Sequence, residues 1–327
     1  MLEKPFAIHE EELTALEAAV RETGRKIMIC HVLRYAPFYQ GIKARLPELG
    51  DILGIQTTEH VSHHHMAVSY VRGKWRGRET AGHDSILLAK CSHDLDILCW
   101  MMSGHDPRAV SSFGGQLHYR PGRAPEGAGS RCLVDCPAEV ENNCPYSARR
   151  QYLQSPDRWA FYVWSELEGV ENPTDTQREA LLRVSDYGKC VYRCGNTTAD
   201  TQTVIVRFDN GTVASHNLMT GTCLPRRTIH ITGTKGEIEG NLEEACYTVR
   251  LLDPHCPAEY TQEVCRAGIE GDAHGGGDLA LAEDFVRLLR GETPSPSCTM
   301  LEDSLNGHRI VFAADRSMRT GQTVLLP

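Results

Sequence analysis

Apolar residues recur at helical spacing near the start of the chain. Over residues 8–24, Leu13, Leu16, Ala19 and Val20 share one face of a 3.6-residue repeat, and Gly24 stands where a C-cap belongs. Residues 26–35 are a short apolar run suited to a buried strand, ended by Pro37. Residues 38–50 read as a second helix, closed by Gly50. From Ile52 the chain alternates like a half-buried strand. Residues 62–77 are polar and aromatic and read as a loop. From Ile86 an apolar run continues as a helix with Leu95, Leu98 and Met102 on one face, and from Ala109 another strand begins.

Residues 119–185 differ in character. They hold Pro, Gly, three cysteines and two short helical patterns, one at 175–184, and read as an insertion or flap. Strands then follow closely. Asp209-Asn210-Gly211 carries the strongest short hairpin signal. A second hairpin-like pair has turn glycines at Gly233 and Gly236, and residues 247–253 continue the sheet. Two helices, at 279–291 and 300–321, and a short strand at 323–326 end the chain. The pattern predicts an α/β (α+β) chain: a short helix–strand piece, then a large, mostly antiparallel sheet with helices on one face.

Composition narrows the function classes. A hydrophobic fraction of 41% over 327 residues supports a sizeable core in one or two domains. The formal net charge of -9, with no Lys/Arg stripe, speaks against a nucleic-acid partner. The apolar stretches are too short and interrupted to span a membrane. The first residues lack a basic stretch followed by an apolar one, so no secretory signal is read and a cytoplasmic location is expected. There the 13 cysteines are expected to be thiols or metal ligands rather than disulfides.

Five stretches, in order, resemble the Gfo/Idh/MocA oxidoreductases. Glu3-Lys4-Pro5 matches an E-K-P at the end of a Rossmann strand, and Arg34-Tyr35-x-Pro37 matches the exit from the next. His93 to Asp96, with Trp100 and Gly104, matches the H-x-x-D helix start. Residues 232–236 resemble the G-T-x-G turn, and residues 302–321 the C-terminal helix. The resemblance implies that residues 1–36 are a remnant of an NAD(P)-binding Rossmann domain. Residues 37–327 would then be the substrate and oligomerisation domain, with its insertion at about 119–185. Two departures stand out. The G-x-G-x-x-G turn that cradles a pyrophosphate is missing; residues 274–278 are glycine-rich but follow no strand. The aspartate common in the family four residues before the histidine is Ala89 here, followed by Lys90.

By that resemblance the chain is an NAD- or NADP-dependent oxidoreductase acting on a sugar or polyol. Lys4 serves as cation and proton relay, His93 as general base, and Lys90 as a second positive charge. Glu3, Lys4, Pro5 and Arg34 flank the cofactor, while Asp96, His274, Arg72 and Trp75 are substrate contacts. A homo-oligomer through the open sheet face is also implied. The alternatives are a non-enzymatic sugar-binding or interaction remnant, and a relative that uses NAD to drive glycoside cleavage. Apart from the resemblance, Cys132, Cys136 and Cys144 are spaced as candidate ligands of a structural zinc, with Cys190 or Cys194 as a fourth. His63, His64 and His65 do not suit one ion, because successive strand residues point to opposite faces.

Overall fold

The computed structural model describes residues 1–77, 81–83, 85–156, 158–268 and 274–327. Strands β1 (Ile52–Ser62), β2 (Pro107–Gly115), β3 (Thr201–Phe208), β4 (Val213–Thr222), β5 (Arg226–Gly233), β6 (Gly236–Asn241), β7 (Cys246–Leu252), β8 (Tyr260–Arg266) and β9 (Val324–Leu325) form one sheet. Their order is β8-β7-β6-β5-β1-β4-β3-β2-β9. The β1–β4 pair is parallel and the other pairs are antiparallel.

Alternation along the strands sorts the two faces. Val204, Val206 and Phe208 of β3, Ala214 and Leu218 of β4, and Ile229 and Ile231 of β5 are buried, while Ile205 and Val213 are exposed. The buried face is covered in part by helices α2 (Pro37–Arg45), α3 (Ser92–Met101) and α6 (Leu301–Thr320), with α3 and α6 packed on one another; α1 (Glu10–Thr23) packs on α6, and α5 (Gly277–Leu289) on the turn Val32–Tyr35. Helix α4 (Asp175–Val184) belongs to the insertion, which has its own small core of Val68, Leu133, Tyr152, Val163 and Leu182.

The structure departs from the sequence pattern in several places. The strand expected at 26–35 shrinks to isolated bridges, Leu2 with Ile29 and Met28 with Met300, before a 3-10 turn at Val32–Tyr35. Its apolar side chains are nonetheless buried, against α5 and α6. The loop expected at 62–77 starts with a helical turn, His63–His65, and a π-helical stretch, Met66–Val71, because its apolar residues pack inward. Gly233 and Gly236 face each other at the ends of β5 and β6, as the first and last residues of the turn through Thr234-Lys235. They are glycine because of crowding: an added Cβ would lie 2.3 Å from Leu49 O or 2.2 Å from Arg250 O.

One buried ion pair fastens the N-terminal segment to this body. Arg34 donates Nε and Nη2 to the two oxygens of Asp96 on α3, at 2.7 and 2.6 Å, and Nη2 also to Asp303 O on α6, at 3.1 Å. Both side chains are almost fully buried. Replacing Asp96 by Ala should cost about 3–5 kcal/mol, because it strands a buried guanidinium. The double variant Arg34→Met/Asp96→Leu should recover most of that loss. Chemical denaturation of the three proteins checks both expectations.

Candidate active site

Strand alternation delivers charge as well as apolar surface to the buried face. Glu59 on β1 shares its row with Ile55 and Val61, and Arg227 on β5 shares its row with Ile229 and Ile231. The two are cross-strand partners, so Arg227 Nε lies 2.7 Å from Glu59 Oε2. Arg227 Nε also reaches Asp94 Oδ1 on α3 at 3.0 Å, and Lys90 Nζ reaches the other oxygen of Glu59 at 3.1 Å. Lys90 belongs to a π-helical turn, Leu87–Cys91, that leads into α3. Such turns present backbone groups out of the usual helical ladder. Here Ala89 O accepts from Lys4 Nζ at 2.9 Å.

His93 stands beside this network at the start of α3. It is buried, and among the described residues its Nδ1 has no hydrogen-bond partner. Burial, reinforced by the positive charge of Lys4, holds its imidazole well below the usual range, so it is neutral at pH 7. His31 and His274 flank it at ring-centroid distances of 5.7 and 5.8 Å. Lys4 is pushed down to about 8, by burial first and then by the Lys90 and Arg227 charges. The arrangement pairs a neutral imidazole with an amine able to change charge near neutrality, which suits proton transfer.

A family profile described as an oxidoreductase family, C-terminal alpha/beta domain (GFO_IDH_MocA_C), matches residues 45–326. The chain belongs to the Gfo/Idh/MocA oxidoreductase family. YteT of Bacillus subtilis (strain 168), which carries an oxidoreductase name, is 25% identical over 309 residues, 89% of this chain. The chain spans 66% of YteT's length. Among solved structures, an oxidoreductase domain protein from Kribbella flavida superposes with a TM-score of 0.65 at 16% identity, covering 99% of this chain and 74% of that one. Levoglucosan dehydrogenase, solved with NADH and levoglucosan, gives 0.64 at 18%, covering 99% and 72%. These two likenesses establish the fold.

Within this Gfo/Idh/MocA chain the structure gathers Lys4, Lys90, His93 and His274 in one place. It puts other expected residues elsewhere. Asp96 and Arg34 are consumed by their mutual ion pair and present no free group to substrate or cofactor. Arg72 is buried beneath the insertion, donating to Lys189 O, Gln151 Oε1, Tyr152 OH and Tyr146 O, so it cannot contact a sugar. Trp75 is half-buried, with Lys74 Nζ 4.7 Å from its ring centroid and the His83 ring at 5.7 Å. Glu3 is exposed and Pro5 half-buried. His65 stacks on Trp159 at 3.6 Å, while His63 contacts Tyr146. Glu59 and Arg227 were missed by sequence reasoning. Their signal was a charge at an inward position of an alternating strand.

Cys132, Cys136 and Cys144 do meet, together with Cys190, around a small pocket in the insertion. They do not converge as ligands of one ion would. Among the described residues, the one group of three or more His, Cys, Asp or Glu with donor atoms within 4.8 Å of each other is Cys91, Asp94 and His216. Cys194 is engaged elsewhere, with Val71 O 3.0 Å from its thiol.

The low value for Lys4 gives a pH prediction. Between about 8 and the ordinary 10.5 the folded chain binds fewer protons than the unfolded one, so this group's contribution to stability grows as pH rises through that window. Amine labelling of Lys4, followed by mass spectrometry, should show a midpoint near pH 8. Lys90→Met should move that midpoint upward by removing a neighbouring positive charge.

Proposed function

We propose that this chain carries the substrate site and proton-handling groups of an NAD(P)-dependent oxidoreductase acting on a sugar or polyol hydroxyl. The observation that carries this reading is the neutral His93, whose Nδ1 has no partner among the described residues, beside the charge-labile Lys4. His93 takes the hydroxyl proton as the carbonyl forms. Lys4, tethered to Ala89 O, stabilises the oxygen as negative charge builds on it. Lys90 and Arg227 add positive field and are themselves held by Glu59, while His274 borders the space next to His93. A nicotinamide bound there would supply the acceptor or donor of hydride. The residues present fit the nicotinamide end of such a cofactor through Lys4, held at Ala89 O next to His93. Arg34 is engaged with Asp96 and does not fit that role.

The apolar residues Phe113, Ile205, Val213 and Met219, exposed on the sheet, are read as the contact face for a second copy. Among the described residues no helix is long and apolar enough to cross a membrane.

Titration of the chain with NADH, following nicotinamide fluorescence, and a screen of sugars and polyols test the reading. Saturable NADH binding and turnover of a sugar or polyol are expected, with His93→Asn lowering kcat by about 10²–10⁴-fold and leaving KM nearly unchanged. Saturable sugar binding without any affinity for NADH or NADPH would instead identify a non-enzymatic sugar-binding protein.

A further inference from the structure

The insertion brings four cysteines from three segments to one cavity. Residues 130–132 and 188–190 run side by side: Cys132 N–H donates to Gly188 O at 3.0 Å and Cys190 N–H to Ser130 O at 2.8 Å. The carboxylate of Asp135 accepts from the Ser130 and Arg131 N–H groups, at 2.9 and 2.7 Å, and folds the turn that carries Cys136 back toward Cys132. The short helix Ala138–Asn143 then delivers Cys144. All four cysteines line the cavity, with Ala128 and Val140 in its apolar wall and Glu141, whose carboxylate is held by Ser147 and Arg149, at its side.

A second observation concerns charge. Arg72 is 1% exposed and sits at this cluster, its Nη2 3.6 Å from Cys132 Sγ. Its other partners are neutral, and among the described residues no carboxylate comes within ion-pair distance of it. A buried cation without a counter-charge costs several kcal/mol, which an anionic neighbour would offset. Four thiolates around a metal core carry net negative charge.

The spacing speaks against a single ion. One tetrahedral zinc, with Zn–S near 2.3 Å, would draw its sulfurs to about 3.8 Å apart. No three of these sulfurs lie within 4.8 Å of one another. An iron–sulfur cluster places its own inorganic core between the thiolates and holds them farther apart. Cys136 and Cys144 are each followed by proline, as is the last cysteine of bacterial ferredoxin runs. We propose that Cys132, Cys136, Cys144 and Cys190 ligate an iron–sulfur cluster, with Arg72 as its buried counter-charge. The cluster staples the insertion, whose own core is small, to the segment that leads back into β3. This site is independent of the hydride-transfer reading above.

Anaerobic purification of the full chain, with metal analysis, acid-labile sulfide assay and visible absorption, tests the proposal. About two or four iron atoms per chain, equal sulfide and a broad visible charge-transfer band are expected. Cys144→Ser should lose iron and sulfide together, whereas Cys246→Ser, on β7 and outside the cavity, should keep both. Should the Cys144 variant fail to fold, removing the metal from the wild-type chain and rebuilding it with ferrous iron and sulfide gives a readout that needs no variant. Stoichiometric zinc without sulfide, or a metal-free folded chain that takes up no iron and sulfide, would overturn the cluster.

Discussion

The Arg34–Asp96 pair is the constraint on which the site depends. Arg34 comes from the N-terminal segment that also carries Lys4, and Asp96 lies one helical turn after His93. The same guanidinium grips Asp303 O at the start of α6. Three segments far apart in sequence are thereby fixed on one planar, bidentate group, a geometry lysine could not supply. The pair adds little net stability over a well-packed apolar alternative, since both ions lose their water. Its effect is positional: it sets the first residues of the chain in one orientation relative to the helix that presents the imidazole.

Around that frame the local charges are unbalanced by design of the strands. Lys4, Lys90 and Arg227 face Glu59 and Asp94. Three cations against two carboxylates, beneath a helix layer, disfavour any further positive charge. Burial first, and these charges after it, keep His93 neutral and hold Lys4 low. A sheet whose inward rows were wholly apolar would position the same histidine without this field.

Much of this was legible in the sequence. The alternating strands, the Asn-Gly hairpin and the two C-terminal helices follow from local periodicity, and the structure has them. His93 and Lys4 could be found only through ordered family motifs, because a lone histidine or a near-terminal lysine has no pattern of its own. What was not legible depends on pairing across the fold. Arg34 and Asp96 looked like ligand contacts because each is polar and adjacent to a motif, yet each satisfies the other. Arg72 looked like a loop residue because nothing nearby in sequence shows that the insertion closes over it. The helical turns in 63–71 were hidden by three histidines, and strand β8 by its exposed polar residues.

The hold on Lys4 is made by a main-chain oxygen, that of Ala89. A carbonyl cannot be removed by substitution, so this contact is insulated from drift at residue 89 as long as the π-helical turn persists. It is also neutral, and accepts a hydrogen bond from ammonium or amine without tying either form to a fixed counter-ion. Evolution at this corner can therefore tune the charge of the amine through Lys90 and Arg227, the more distant residues, while its location stays constant.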